Sequence, residues 1–362
     1  MNELKVLIAG GGTGGHLFPG MAVAEALGKI RPTEVRFVGT ARGIEARAVP
    51  ERGWKLYLLS VSGLYRVGAL KKLLGLLKVP VAFLQSLKIL LTYRPDLVIG
   101  VGGYASGPLL LAALLLGRRT LIQEQNASPG MTNRLLGRFV PLSFVPFEGL
   151  EGVFRNPKVV GNPIRSQIQE AASLPDRRPK EPFTLVLVGG SQGARVLNQT
   201  LVAALPSLEG QGIRILHQTG VADCEDVRQA YAQHPEIDAQ VVPFVDDVAS
   251  WFCEAHLLLS RAGSMVNEVC AVGRASILVP IPNTSGDHQG SNARALESGG
   301  AAIVIPQAEL NAQRLAQAIL DIKNNPEQRT AMEEAAKSLV AGDAAQVIAQ
   351  EALRFYHLEV KS

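Results

Sequence analysis

The sequence is poor in the residues that build disulfide frameworks and metal centres. Among 362 residues there are three cysteines, Cys224, Cys253 and Cys270, and no CxxC pair. All three lie in apolar or helical contexts, which indicates buried, reduced thiols. The carboxylate pair Asp246-Asp247 has no histidine or further acid at ligand spacing. We therefore predict no metal site there and expect the pair to cap the following helix.

Long apolar runs are also absent. No window holds the roughly 18 uninterrupted apolar residues of a membrane-spanning helix. The chain enters an apolar strand directly after Met-Asn-Glu-Leu-Lys, without a signal-peptide pattern. These absences favour a soluble, cytoplasmic protein. Hydrophobic residues make up 47% of the 362 residues, which predicts two domains, each with its own core.

Acidic residues are scarce in the first half of the chain. Residues 1–165 hold 21 Lys and Arg against 9 Asp and Glu, whereas residues 166–362 hold 15 against 23. No acid occurs from Lys55 to Arg94, where leucines are interleaved with Arg66, Lys71, Lys72, Lys78 and Lys88. An apolar face with a cationic rim is typical of a surface on anionic lipid. We predict that Leu64–Arg94 is such a surface; the alternative is an ordinary amphipathic helix on the sheet.

Short apolar segments alternate with helical segments in both halves, which predicts an α/β protein with two doubly wound parallel sheets. The predicted strands of the first half are Lys5–Ala9, Val35–Val38, Leu56–Ser60, Leu97–Val101 and Thr120–Gln123. Those of the second half are Phe183–Val188, Ile213–Gln218, Ala239–Val242, Ala255–Ser260, Ala275–Val279 and Ala301–Val304. A hinge at Gly161-Asn162-Pro163 would separate domains 1–163 and 164–342. A C-terminal helix within 343–362 would pack back on the first domain.

Three glycine clusters follow predicted strands, at Gly10–Gly15, Gly102–Gly107 and Gly189–Gly193. Glycine lets backbone N–H groups approach an anion, and a helix N-terminus favours negative charge. The first and third clusters therefore predict phosphate or pyrophosphate sites. For the third, a tight turn capped by Ser191 is the alternative.

The first cluster ends in His16, at the sheet edge where ligands bind in open α/β folds. We predict a general base there, against the alternative of a histidine that only packs at the start of the helix. No Lys-Ser/Thr follows any cluster, which argues against a P-loop kinase. The second strand ends Phe37-Val38-Gly39-Thr40-Ala41-Arg42, without the acid that a nicotinamide dehydrogenase requires.

Other polar residues mark candidate ligand contacts. Arg165, at the hinge, would reach a diphosphate or be a solvated linker residue. Glu268 follows the corner Ser260–Ser264 and would accept hydrogen bonds from ribose hydroxyls. The alternative is a glutamate on a helix surface. The polar run Asp287–Asn292 suits hydrogen bonds to a sugar, or is a loop that caps the next helix.

Taken in order, six motifs resemble those of a bacterial enzyme family. They are GGGTGGHLFPG from Gly10, GGYASGP from Gly102, Glu124-Gln125-Asn126, GNPIR from Gly161, GGSQGARVLN from Gly189 and Ser260-Arg261-Ala262-Gly263. The family comprises the UDP-N-acetylglucosamine:N-acetylmuramyl-(pentapeptide) pyrophosphoryl-undecaprenol N-acetylglucosamine transferases, which form lipid II for peptidoglycan. The resemblance implies a GT-B fold, two Rossmann-like domains facing a cleft. It also implies an inverting transfer that needs no metal or cofactor.

The resemblance implies roles for individual residues. The C-terminal domain would bind UDP-GlcNAc, and the N-terminal domain lipid I. His16 would take the proton from the 4-hydroxyl of N-acetylmuramate. The donor residues would be Ser191 and Gln192 at the diphosphate with Arg165, Glu268 at the ribose, Phe244 and Val245 at the uracil, and Gln289 and Asn292 at the GlcNAc. The acceptor residues would be Thr13, Gly14, Gly15, Tyr104 and Asn126.

The implied location is the cytoplasmic face of the cell membrane, where lipid I resides, with no nucleic acid partner; docking of other cell-wall proteins stays open. Two positions depart from the family pattern: Gln123 stands where a histidine is common, and the segment from Gly263 to Glu268 is one residue short. The alternatives are another GT-B transferase with a different acceptor, and a UDP-sugar binder without activity.

Overall fold

The computed structural model describes residues 3–61, 69–146, 148–174, 178, 181–190, 194–282, 287–340 and 342–358, with backbone only for 69–77 and 358. The chain forms two compact units. The first comprises Met1–Arg165 with Ala341–Ser362, and the second Ser166–Val340. None of the described helices is long and apolar enough to cross a membrane.

The described elements alternate along the chain. The strands are β1 (Leu4–Gly10), β2 (Thr33–Gly39), β3 (Lys55–Leu58), β4 (Leu97–Gly102), β5 (Thr120–Gln123), β6 (Leu142–Val145), β7 (Pro157–Val159), β8 (Phe183–Val188), β9 (Ile213–Gln218), β10 (Asp238–Val242), β11 (Leu257–Ser260), β12 (Ala275–Leu278) and β13 (Ala302–Val304).

The helices are α1 (Gly14–Ile30), α2 (Glu45–Glu51), α3 (Ala69–Tyr93), α4 (Ser106–Leu115), α5 (Met131–Leu136), α6 (Ser166–Ser173), α7 (Arg195–Leu208), α8 (Cys224–Tyr231), α9 (Val248–Glu254), α10 (Met265–Val272), α11 (His288–Ser298), α12 (Ala312–Asn324), α13 (Pro326–Ser338) and α14 (Ala344–Leu358). A 3-10 turn covers Gln307–Glu309.

The first unit is built on a parallel sheet of order β3-β2-β1-β4-β5-β6-β7. The order reverses between β1 and β4, so the loops after these two strands leave the carboxyl edge side by side, where open α/β sheets bind ligands. All five strands predicted for this half are present. Two further strands, β6 and β7, were not predicted, and β7 lies just before the predicted hinge at Gly161-Asn162-Pro163. Pro157 is tolerated because it begins an edge strand, where no ladder hydrogen bond is lost.

The core of the first unit lies on both faces of its sheet because successive strand residues point to opposite sides. Val6 and Ile8 of β1 face the cluster that holds residues of α1 and α14. Leu7 and Ala9 face the cluster that holds residues of α3 and α4. In α14, Ile348 is fully buried, so the C-terminal helix packs on the first unit.

The second unit has a parallel sheet of order β10-β9-β8-β11-β12-β13, and contains all six strands predicted for it. Its larger core cluster joins β8 to α7 and α12. Cys224 and Cys270 are buried and free, as expected, whereas Cys253 is only half-buried. Burial raises the pKa of the Cys270 thiol to about 12. Asp247 caps α9, accepting from Ser250 N at 3.1 Å, which confirms its predicted capping role.

A buried neutral histidine fastens the start of α7 to β9. Nε2 of His217 lies 3.0 Å from Asn198 Oδ1, and Nδ1 lies 3.2 Å from Tyr231 Oη. Asn198 in turn donates through Nδ2 to Thr219 O and Asp223 Oδ2, each at 2.9 Å. Because Nδ2 is the donor end of the amide, Oδ1 accepts from His217 Nε2–H, and Nδ1 accepts from the tyrosine hydroxyl. Burial lowers the pKa of His217 from 6.5 to about 3.

This pKa makes stability depend on pH in a defined direction. Between pH 3 and 6.5 the unfolded chain protonates His217 while the folded chain does not, so stability falls as pH drops below 6.5. From pH 7 to pH 5 this one residue should cost about 2 kcal/mol of unfolding free energy. Urea unfolding at both pH values should show that much less acid sensitivity in His217→Gln than in the wild type. Equal acid sensitivity of the two proteins would contradict the buried neutral assignment.

Candidate active site

The first glycine cluster forms the turn between β1 and α1. Gly11 has a φ of +142° and Gly12 a φ of +86°, conformations that favour glycine. Thr13 is the exposed N-cap of α1, and its side chain makes no capping hydrogen bond. The N–H groups of Gly14 and Gly15 lie in the first turn and have no intrahelical partner. The loop therefore presents backbone donors at a helix N-terminus, as the sequence predicted.

The second glycine cluster packs directly on the first. Gly102 and Gly103 have φ values of +93° and +82°. A Cβ on Gly102 would lie 2.9 Å from Nδ1 of His16, and one on Gly103 would overlap the backbone of Gly11. Glycine is thus required at 103 by contact with the backbone of Gly11, and at 102 by contact with the His16 side chain. Tyr104 follows at the rim with 47% of its surface exposed.

His16 lies half-buried in the first turn of α1, with Nδ1 2.9 Å from Oε1 of Gln125. The amide of Gln125 is fixed because its Nε2 donates to Val101 O at 2.8 Å. Oε1 must then face the ring, so Nδ1–H donates to it in the neutral tautomer. The lone pair of His16 is consequently at Nε2, the arrangement of a general base held by an orienting partner.

Gln125 and Asn126 are held by a buried carboxylate, Glu124. Its Oε1 accepts from Gln125 N at 2.9 Å, Asn126 N at 2.9 Å and Asn126 Nδ2 at 3.0 Å. Its Oε2 accepts from Gly130 N at 3.0 Å and Asn133 Nδ2 at 2.9 Å. Five donors satisfy the buried charge and fix the loop after β5.

Gln123, at the position where a histidine was considered, belongs to the same support. It is fully buried, donates to Glu124 O at 3.0 Å and accepts a hydrogen bond from Gln125 Nε2. Of the motif Glu124-Gln125-Asn126, only Asn126 had a predicted role. The signal for the other two was present: polar residues directly after a buried strand.

An acid reaches the end of β2 from outside that strand. The sequence showed no acid at the tip of β2, yet the carboxylate of Glu45 folds back from α2 to that place, 2.8 Å from Thr40 N and 2.7 Å from Gly12 N. The Glu45 side chain is fully buried, and both of its oxygens accept hydrogen bonds from the protein. It is therefore not placed to bind a ribose. Arg165, which ends the first segment of this unit, lies over the ring of Phe18 at 5.0 Å.

In the second unit, the predicted donor residues lie in segments that follow strands of one parallel sheet. Phe244 (45% exposed) and Val245 follow β10, and Glu268 lies buried in the first turn of α10. Gln218 at the end of β9, for which the sequence pattern predicted no role, donates to Gly190 O at 3.2 Å and Pro243 O at 3.0 Å. It thereby ties the third glycine corner to the segment that carries Phe244.

The sugar-binding candidates are partly engaged within the protein. Gln289 Oε1 accepts from Ile281 N at 3.0 Å, and buried Asn292 donates to Ala262 O at 3.2 Å. Outside the described residues lie Ser191, Gln192 and Gly193, the segment 64–68 with Arg66, and the side chains of Lys71 and Lys72. Within the described part of the chain, no cluster of three His, Cys, Asp or Glu residues could hold a metal ion.

Comparison with known proteins shows the general class of enzyme to which the chain belongs. The N-terminal domain model of glycosyltransferase family 28 matches residues 6–144, and the C-terminal domain model of that family matches residues 184–350. The structure of MurG from Acinetobacter baumannii is 31% identical with a TM-score of 0.79, over 98% of this chain and 100% of that chain. The predicted GT-B fold class, two parallel-sheet Rossmann-like domains, is confirmed.

Curated relatives define the family more narrowly. The UDP-N-acetylglucosamine--N-acetylmuramyl-(pentapeptide) pyrophosphoryl-undecaprenol N-acetylglucosamine transferase of Myxococcus xanthus is 46% identical, over 96% of this chain and 91% of its own length. The enzyme of the same name from Syntrophus aciditrophicus is 45% identical, over 93% and 94%. The chain belongs to this family of N-acetylglucosamine transferases within glycosyltransferase family 28.

Proposed function

We propose that this enzyme transfers GlcNAc from UDP-GlcNAc to the 4-hydroxyl of N-acetylmuramate in lipid I, forming lipid II. The observation that carries the proposal is His16, oriented by Gln125 where two glycine loops converge. The family membership supplies the substrates, since its members carry both in their name. The chemistry follows from how the described residues hold charge and protons.

His16 is the general base of the proposed reaction. Its Nε2 lone pair takes the proton of the acceptor 4-hydroxyl as that oxygen attacks the anomeric carbon of GlcNAc. A single displacement inverts the configuration of an α-linked donor and gives a β-1,4 bond. Gln125 Oε1 accepts from Nδ1–H before and after the transfer, so the ring keeps its orientation while its charge changes.

The acceptor diphosphate is assigned to the glycine loops of the first unit. Gly14 and Gly15 offer first-turn N–H groups, where the helix dipole favours an anion. Exposed Thr13 and Tyr104 and half-buried Asn126 border the same loops. Asn126 is held in place by its hydrogen bonds to Glu124.

The donor is assigned to the second unit, and Arg165 is retained as a candidate for binding its diphosphate. Ser191 and Gln192 bind the diphosphate, Glu268 the ribose, Phe244 and Val245 the uracil, and Gln289 and Asn292 the GlcNAc. We propose that the helix N-terminus after Gly190 and the Arg165 guanidinium stabilise the charge that develops on UDP. With that stabilisation the transfer proceeds without a metal ion.

The proposed location is the cytoplasmic membrane surface, reached through α3. Ala82 and Leu90 of this helix are buried in the core shared with α4, while Val81, Leu84 and Leu91 are 47%, 64% and 54% exposed. Lys78 and Lys88 of the same helix are also exposed, Lys78 before Val81 and Lys88 between Leu84 and Leu91. Nearby elements of the same unit also expose large apolar side chains, namely Leu111, Leu115, Met131, Leu135 and Phe139. An apolar surface with a basic rim suits an anionic lipid leaflet.

The reaction is tested by UDP release from UDP-GlcNAc, with and without a short-chain lipid I analogue, in EDTA. We expect release only with the acceptor, undiminished by EDTA, because no step uses a metal. Loss of activity in EDTA would refute the metal-independent mechanism. Binding of UDP-GlcNAc without release would favour another acceptor or an inactive sugar-nucleotide binder.

The base is tested by His16→Ala. Loss of a general base should lower kcat by about 10²–10⁴, while the Kd for UDP-GlcNAc, measured by calorimetry, stays unchanged. His357→Ala, at an exposed histidine of α14 in the same unit, is the matched control and should keep full turnover. Wild-type turnover in His16→Ala would remove the residue from the mechanism.

The membrane surface is tested by reversing charge at Lys78 and Lys88 together. Each lysine near an anionic surface contributes about 1 kcal/mol, so the double Glu variant should bind phosphatidylglycerol vesicles at least tenfold more weakly. Turnover of a short-chain soluble acceptor should not change. The control variant reverses the charge at Lys29 and Lys55, which are exposed elsewhere on the same unit. Equal loss of vesicle binding in both double variants would show that binding depends only on net charge. That result would contradict the assignment of α3 as the membrane surface.

A further inference from the structure

Glu45 is a charged residue that the proposed reaction does not use, yet it is fully buried. Its Oε2 accepts from Gly12 N at 2.7 Å. Its Oε1 accepts from Thr40 N at 2.8 Å and from the Thr40 hydroxyl at 2.9 Å. A buried carboxylate is tolerated only when such donors compensate for the lost water. The end of β2 and the first glycine loop together supply them.

The space around this carboxylate is made by glycines from three segments. A Cβ on Gly11, Gly39 or Gly43 would overlap the Glu45 side chain. Gly11 of the first glycine cluster is therefore needed, together with Gly39 and Gly43, to admit an internal carboxylate. The Gly12 N–H, which a dinucleotide-binding loop would offer to a ligand, is taken by Glu45.

The carboxylate is connected to the proposed acceptor site through the backbone alone. Glu45 holds Gly11 and Gly12, whose positive φ angles no side chain of their own stabilises. Gly11 in turn lies against Gly103 of the second loop. Thr13, Gly14 and Gly15 follow immediately in sequence. A shift of the Gly11-Gly12 turn would therefore move the donors of the first turn of α1 relative to the second glycine loop.

We propose that Glu45 is a positioning residue for acceptor binding. Its carboxylate is a built-in anion behind the Gly11-Gly12 turn, which holds Thr13, Gly14 and Gly15 where they meet the acceptor diphosphate. This inference rests on the proposed function, because it takes lipid I as the ligand of that loop. It assigns no contact between Glu45 and substrate.

The test replaces Glu45 with Gln in the full chain. The amide keeps the shape but turns an NH₂ group toward one of its N–H donors, so a buried hydrogen bond is lost. We expect KM for the lipid I analogue to rise about tenfold, with the Kd for UDP-GlcNAc unchanged. The matched control is Glu51→Gln on the same helix, at an exposed glutamate paired with Arg47, which should leave both constants unchanged.

A merely structural role predicts a different pattern. Glu45→Gln would then lower the melting temperature while the folded enzyme kept wild-type KM for the acceptor, and that result overturns the proposal. An equal rise in donor Kd and acceptor KM also overturns it.

If Glu45→Gln fails to fold, Thr40→Val decides. It removes one hydroxyl donor to Oε1 without touching the loop, and should raise acceptor KM about threefold. Unchanged acceptor KM in this variant overturns the proposal.

UDP release by the wild-type enzyme distinguishes failure of the proposed function from failure of the role proposed for Glu45. Acceptor-dependent UDP release by the wild type, with unchanged acceptor KM in Glu45→Gln, removes only the role of Glu45. Absence of release by the wild type removes the proposed function and this inference with it.

Discussion

The first unit depends on one constraint: two glycine loops meet backbone to backbone at the carboxyl ends of β1 and β4. Gly103 leaves no room for a side chain against Gly11, and Gly102 leaves none against His16. Loops that lack side chains cannot fix themselves by packing, and their N–H groups need partners when they are buried. The rest of this region supplies those partners from elsewhere in the chain.

Two buried carboxylates accept hydrogen bonds from backbone N–H groups of this region. Glu45 accepts from the first loop and from the end of β2, while Glu124 accepts from the segments around Asn126 and Gly130. Charge-assisted hydrogen bonds are stronger than neutral ones, and removing one donor leaves a buried charge without its partner. Glu45 therefore fixes the first glycine loop directly, whereas Glu124 fixes the segment after β5 that carries Gln125 and Asn126.

The second unit fastens its glycine corner with neutral groups instead. His217 and Asn198 join α7 to the end of β9, and Gln218 bridges Gly190 to Pro243. Neutral amide and imidazole groups pay a smaller desolvation cost than carboxylates.

Sequence patterns by themselves determined the two parallel sheets, eleven of whose strands were predicted, and the order of the glycine corners. The strands and turns follow from local burial and turn chemistry. The alternation of apolar and helical segments and the positions of glycines in the sequence indicate both directly. The tertiary structure alone added β6 and β7 to the first sheet and brought Glu45 to a strand tip that lacked an acid. It alone paired His16 with Gln125, 109 residues away. Such pairings arise when packing brings distant segments together, and no local pattern encodes which buried polar group will meet which.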